Sequence, residues 1–255
     1  MAHWIRFEYR GAVGFGTIEG DVISVFTGDM FAHPVATGQM IALKAVRVLI
    51  PCTPSKMVAL WNNFRALAEK LNQAIPPEPL YFLKGTNAFH PHDEVIRVPA
   101  AYAGKVVYEG ELGIVIGKRC CAVSEADAAN FIFGYTCIND VTAVELLFKD
   151  ASFAQWTRAK SFDTFGVFGP VIATGIDPKT LTIRTVLNEQ ERQNYAVADM
   201  IFPPAKLVSL ISHDMTLEAG DVIACGTSIG VGSMKAGSDV SVIIEGIGEL
   251  RNRYG

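Results

Sequence analysis

Glu109 and Glu111 stand two apart in the run "YEGELGIVIGK", which begins at Tyr108. In an extended chain, residues two apart point to the same face. Both carboxylates therefore converge on one spot at the mouth of an apolar strand through Ile114, Val115 and Ile116. Two unpaired carboxylates at a buried position are costly to ionise or take up a proton. A positive partner would relieve that cost, and a metal ion, a lysine or plain water can each fill the place. Asp140 closes the strand-like "GYTCIND" and can bring a third carboxylate to the same point. Three oxygen donors from two strands suit Mg²⁺ or Mn²⁺, with positions left for water and a chelating substrate. The ordinary alternative is a solvated strand face.

Other stretches add to this group. Lys160 lies among aromatics and glycines in "QWTRAKSFDTFGVFGP", and Thr227 and Ser228 come after an apolar strand in the glycine-rich "TLEAGDVIACGTSIGVG". Backbone N–H groups of such a turn can hold an anion. "FHPHDE" offers His90, His92 and Asp93, but a proline between two histidines reads as a solvent-facing loop.

Half of the 255 residues are hydrophobic and 19% are charged, enough apolar content for a sizeable core. A net charge of -4 argues against a nucleic-acid surface, which needs a basic stripe. No apolar run reaches the roughly 20 residues of a membrane span, and "MAHWIRFEYR" lacks the apolar core of a signal peptide. Five cysteines, Cys120 and Cys121 adjacent and the other three scattered, show no paired metal spacing and read as reduced thiols of a cytoplasmic protein.

The elements that must position these residues are mostly strands. "WIRFEYR", "VGFGTIEG" and "DVISVF" alternate like a small antiparallel sheet, and "VRVLIPCTPSK" reads as a crossing into a second unit near Pro51 to Pro54. The division expected is a small N-terminal β domain over residues 1–50 and a catalytic domain over 51–255. "MVALW" reads as a buried strand, "NNFRALAEKLNQ" as a helix opened by an asparagine cap, and "SEADAANFI" as a short helix capped by Ser124. Further strand-like runs, "FIFGYTCIND", "VFGPVIA", "LTIRTVLN", "DVIACGT" and "DVSVIIEGIGEL", succeed one another without a βαβ rhythm. The fold class is mainly β (α+β).

Taken in order, "YEGELGIVIGK", "GYTCINDVTA", "QWTRAKSFDTFGVFGP", "MTLEAGDVIACGTSIGVG" and "IEGIGELRN" resemble the fumarylacetoacetate hydrolase family from about Pro51 onward. The resemblance implies a mixed β-sandwich roll, usually dimeric, so a homodimer is expected. It also implies Mg²⁺ or Mn²⁺ on Glu109, Glu111 and Asp140, Lys160 in the pocket, and Thr227 near a substrate carboxylate. Family members act on small-molecule 2-oxo acids, where polarisation of the keto group opens hydrolysis, decarboxylation or keto–enol isomerisation.

The sequence departs from that family at the lid. Hydrolytic members commonly carry Asn-Tyr-x-x-His with a Glu three residues later, a pair that activates water. Here Asn63 and Phe64 fit, but Leu67 stands at the histidine position and Lys70 at the glutamate position. Glu69, one residue away, is the candidate replacement base. Where the family often has Arg and Gln after the aspartate, Val144 and Leu147 stand. That makes a more apolar pocket, and Arg65 is the candidate anchor for a distal carboxylate. The leading expectation is a C–C bond hydrolase of an acylpyruvate-like oxo acid in aromatic-compound catabolism. The missing histidine favours a decarboxylase or isomerase as the alternative, and a silent metal and keto-acid binding protein is a third reading.

Overall fold

A computed structural model describes all 255 residues. Its largest unit is a twelve-stranded sheet. The strands Ala2–Tyr9, Ala12–Glu19, Val22–Asp29 and His33–Ala42 run as an antiparallel meander over the first fifty residues. The meander is joined to the rest of the chain by strand pairing. Ala2–Tyr9 pairs antiparallel with Gly166–Thr174, with Ala2 opposite Thr174 and Ile5 opposite Val171. The sheet then continues through Ile132–Asp140, Gly110–Ile116, Val222–Ala224, Met57–Trp61 and Leu80–Lys84. A five-stranded sheet, built on Thr182–Leu187, Gln190–Ala196, Ser238–Ile244 and Gly248–Tyr254, packs against this one.

The core forms where the apolar runs lie. Every residue of Gly110–Ile116 is buried, as are Met57 to Leu60, as expected of central strands covered on both faces. The mainly β architecture is as the strand pattern predicts. Ser124 caps its helix as expected, its side chain accepting from the Asp127 N–H.

The asparagine cap is corrected. The lid helix spans only Arg65–Lys70, and Phe64 is its cap without a side-chain hydrogen bond. Asn63 instead spends its amide on tertiary contacts. Its Nδ2 donates to Cys225 O at 2.8 Å and its Oδ1 accepts from the Phe202 N–H at 2.9 Å. A buried amide in reach of two main-chain partners is worth more there than on a helix end open to water. No helix is long and apolar enough to cross a membrane.

Candidate active site

The three carboxylates are brought together by sheet register. Gly110 lies opposite Asn139 and Glu111 opposite Ile138 on adjacent antiparallel strands. Asp140, one residue on, donates its N–H to Glu109 O at 2.9 Å. One ligand atom from each of Glu109, Glu111 and Asp140 lies within 4.8 Å of the others.

Gly110, between the glutamates, is clamped from both sides. Its N–H donates to Gln193 Oε1 at 3.0 Å, and its carbonyl accepts from Thr227 Oγ1 at 3.0 Å and from the Tyr195 hydroxyl. A Cβ here would lie 2.0 Å from Thr185 Oγ1, so only glycine fits. The clamp fixes where the flanking carboxylates point. Across the pocket, Gly226 adopts φ +88°, a left-handed conformation that favours glycine. It aims its N–H at Glu111 Oε2, at 2.9 Å.

Two lysines complete the group. Lys160 Nζ sits between Glu109 Oε2 at 2.5 Å and Asp140 Oδ2 at 2.6 Å. Lys84, at the end of Leu80–Lys84, donates to Asp140 Oδ1. Thr142 Oγ1 donates to Glu109 Oε1 at 3.1 Å. Glu111 and Asp140 are fully buried, Lys84 and Lys160 nearly so, and the Glu109 side chain is 15% exposed.

The electrostatics of the group are set by that burial. Burial, with repulsion from Asp140 and Glu109, pushes the Glu111 carboxyl well above the ordinary carboxylate range. Burial also raises Glu109, against the attraction of Lys160. Burial would raise Asp140 too, but Lys160 and Lys84 outweigh it and hold that carboxyl low. Burial pulls on Lys160 in the same way, and the surrounding carboxylates reverse it, holding the ammonium above the usual lysine range. At Lys84 burial prevails and the pKa is lowered.

These residues fit a divalent cation. Three carboxylates against two ammonium groups leave one formal negative charge, and Glu111 Oε1 is buried with no hydrogen-bond partner. A hard oxygen donor set with an orphaned carboxylate oxygen is what Mg²⁺ or Mn²⁺ satisfies.

The other residues singled out by the sequence are more scattered. Thr227 is in the site, though its hydroxyl is committed to Gly110 and to Gln193, which donates to it at 2.9 Å. Arg65 donates to Met200 O at 2.6 Å, pinning the lid helix to the Asp199–Met200 turn. Glu69 is exposed and makes no side-chain hydrogen bond, while Leu67 is buried in the core. His90 is buried in the short strand Phe89–His90 and does not face solvent as a loop residue would. His92 accepts from the Arg251 N–H and lies beside Asp93 at 3.3 Å, away from any metal cluster. Sequence reasoning missed Lys84, Gln193 and Tyr195. For Lys84 a signal existed: in "LYFLK" the lysine shares the period-2 face of Leu80 and Phe82.

Fold and site together define a member of the fumarylacetoacetate hydrolase family. The description "Fumarylacetoacetate (FAA) hydrolase C-terminal" matches residues 56–254, and "Rv2993c-like, N-terminal" matches residues 2–51. The chain is 38% identical to 2-hydroxyhepta-2,4-diene-1,7-dioate isomerase from Mycobacterium marinum, at a TM-score of 0.91 over 100% of this chain and 98% of that one. Oxaloacetate tautomerase YisK of Bacillus subtilis is 34% identical over 85% of this chain and 75% of its own length. Maleylpyruvate hydrolase from Sphingobium sp. SYK-6, in complex with manganese(II) ion and pyruvate, is 26% identical at a TM-score of 0.80, over 99% and 98% of the two chains.

Proposed function

We propose that the protein is a divalent-metal-dependent isomerase or tautomerase of a 2-oxo acid, one of the two non-hydrolytic alternatives, with decarboxylation, that the lid sequence favours over hydrolysis. The observation that carries the reading is Leu67. At the position where a hydrolytic lid places its water-activating histidine, the side chain is apolar and packed into the core. The nearby Glu69 is exposed and unpaired. Isomerisation needs no water. One proton leaves the carbon beside the keto group, one is returned elsewhere in the same conjugated system, and no atom is gained or lost.

Glu109, Glu111 and Asp140 would hold the cation. When bound, it would supply Lewis acidity toward the 2-oxo acid head of the substrate. The chain's own residues do the rest. Lys160 Nζ is held charged by Glu109 and Asp140, so it can offer a proton or a positive charge to a developing enolate oxygen. Lys84 holds Asp140 from the other side and keeps its carboxylate oriented. The Gly110 clamp fixes the spacing of the glutamates without touching substrate.

A hydrolytic reading draws on the likeness to the Sphingobium hydrolase. One experiment separates the two. The Mg²⁺-loaded protein is incubated in D₂O with oxaloacetate and with an acylpyruvate, monitored by proton NMR against enzyme-free controls. Isomerase chemistry predicts accelerated exchange of the carbon-3 protons with the carbon skeleton intact. Release of pyruvate and a second acid from the acylpyruvate would overturn it, as would decarboxylation of oxaloacetate outpacing exchange. The dimeric habit of the family extends the proposal to a homodimer, which light scattering would test.

A further inference from the structure

The strand that delivers Lys84 to Asp140 also carries Phe82 and Leu80 on the same face. Trp61 lies opposite Leu80 on the neighbouring strand and so shares that face. The Phe82 ring stacks on Trp156 at 5.1 Å between centroids, with an interplanar angle of 18°. Trp156 in turn lies 5.4 Å from Trp61. These side chains, with Pro79 and Tyr81, line an open cavity of about 390 Å³ that includes no charged residue.

This cavity adjoins the reacting groups. Lys160 Nζ lies 5.3 Å from the centre of the Phe82 ring, and Lys160 and Trp156 are the two ends of the Trp156–Lys160 helix. Two strand residues span about 7 Å, so a group reaching that far from the Lys84 end arrives level with Phe82. The flanking helix Val144–Leu147 is apolar where the family often places Arg and Gln, and Leu147 O accepts from the Gln155 N–H at 2.8 Å beside Trp156.

We propose that the aromatic cavity is the subsite for the distal group of the substrate, and that it selects an apolar, ring-bearing acyl chain over a second carboxylate. This rests on the 2-oxo acid reading above. A carboxylate entering the cavity would lose hydration and meet no cation among its lining residues, whereas a ring gains offset or edge contacts with the aromatic side chains that line it. Trp156 is the specificity-determining residue, because it touches both Phe82 and Trp61.

The test measures dissociation constants by calorimetry on the Mn²⁺-loaded protein for benzoylpyruvate, acetylpyruvate and fumarylpyruvate. Benzoylpyruvate is expected to bind about tenfold tighter than the other two, ~1.4 kcal/mol. Trp156→Ala should bring the three within about twofold and leave acetylpyruvate unchanged, and Trp156→Phe should keep most of the preference. Tighter binding of fumarylpyruvate, or equal weakening of all three by Trp156→Ala, would overturn the subsite. Glu111→Gln separates the two ideas. If benzoylpyruvate binding needs Trp156 but not Glu111, the subsite stands and the metal-headed reading falls. If acetylpyruvate binding needs Glu111 and the ring adds nothing, the subsite falls alone. If none of the three acids binds, both fall.

Discussion

Lys84 and Asp140 form an ion pair in which both side chains are fully removed from solvent. Removing one member of a buried pair leaves an uncompensated charge, typically at a cost of roughly 3–5 kcal/mol. Here Lys160 still reaches Asp140 Oδ2, so Lys84→Met should fall at the lower end, about 3 kcal/mol, read from the urea midpoint of metal-free protein. Added Mn²⁺ should recover part of the loss. A midpoint within experimental error of wild type would show that the pair contributes no net stability.

Glu111→Gln tests the metal assignment. The neutral amide keeps shape but loses the charge that a cation requires, so Mn²⁺ affinity by calorimetry should drop at least about tenfold while the circular dichroism spectrum is kept. In the metal-free protein the same change removes a buried carboxyl that is costly to ionise, so thermal stability near neutral pH should rise or hold. Unaltered Mn²⁺ affinity would exclude Glu111 as a ligand.

Lys160 separates substrate chemistry from metal holding. Lys160→Ala should retain Mn²⁺ and lose most turnover, of the order of 10² to 10⁴ for a proton-transfer group. Lys160→Arg should restore charge but not proton transfer, since guanidinium does not deprotonate. Near-normal kcat in Lys160→Ala would make the lysine structural.

The lid makes a prediction in the opposite sense. Glu69→Gln should be nearly silent on isomerisation, because the Glu69 side chain is exposed and makes no hydrogen bond. Leu67→His with Lys70→Glu would put back the polar pair of hydrolytic relatives and should create measurable cleavage of an acylpyruvate. The histidine replaces a core side chain, so a stability cost of roughly 1–3 kcal/mol is expected with it. A hundredfold loss of activity in Glu69→Gln would instead reinstate a lid base.

His90 gives a pH dependence. Burial lowers its pKa from the ordinary 6.5, so the unfolded chain binds this proton first as pH falls. Its contribution to stability is present above pH 6.5 and is lost as the pH drops toward the folded value. Between pH 7 and pH 5 the urea midpoint of wild type should therefore fall more steeply than that of His90→Gln. Parallel slopes would show that His90 titrates alike in both states.

The acidic triad was legible because its two rules are local. Glutamates two apart on a strand share a face, and an aspartate at a strand end faces the sheet mouth. Lys84 was not, because its partner lies 56 residues away and is reached only through the sheet order. That order turns on a parallel pairing of Met57–Trp61 with Val222–Ala224, which no local pattern encodes. The asparagine cap failed for a related reason: Asn63 looks like a helix opener, yet its amide is claimed by Cys225 and Phe202. The mainly β class could be read from alternation alone.

The seam between Ala2–Tyr9 and Gly166–Thr174 bears on self-association. The Gly166–Thr174 strand is nine residues long and almost wholly buried, and the amino-terminal strand covers part of its hydrogen-bonding edge. Without the leading meander, Val171–Thr174 would become a rim with bare amides and carbonyls, beyond the Gly166–Val167 end that Phe89–His90 still pairs. A bare apolar rim of this kind templates pairing with a second chain. A version beginning at residue 51 would thus be expected to clump rather than merely lose an appendage, unless charge, a bulge or another polypeptide blunted the exposed border.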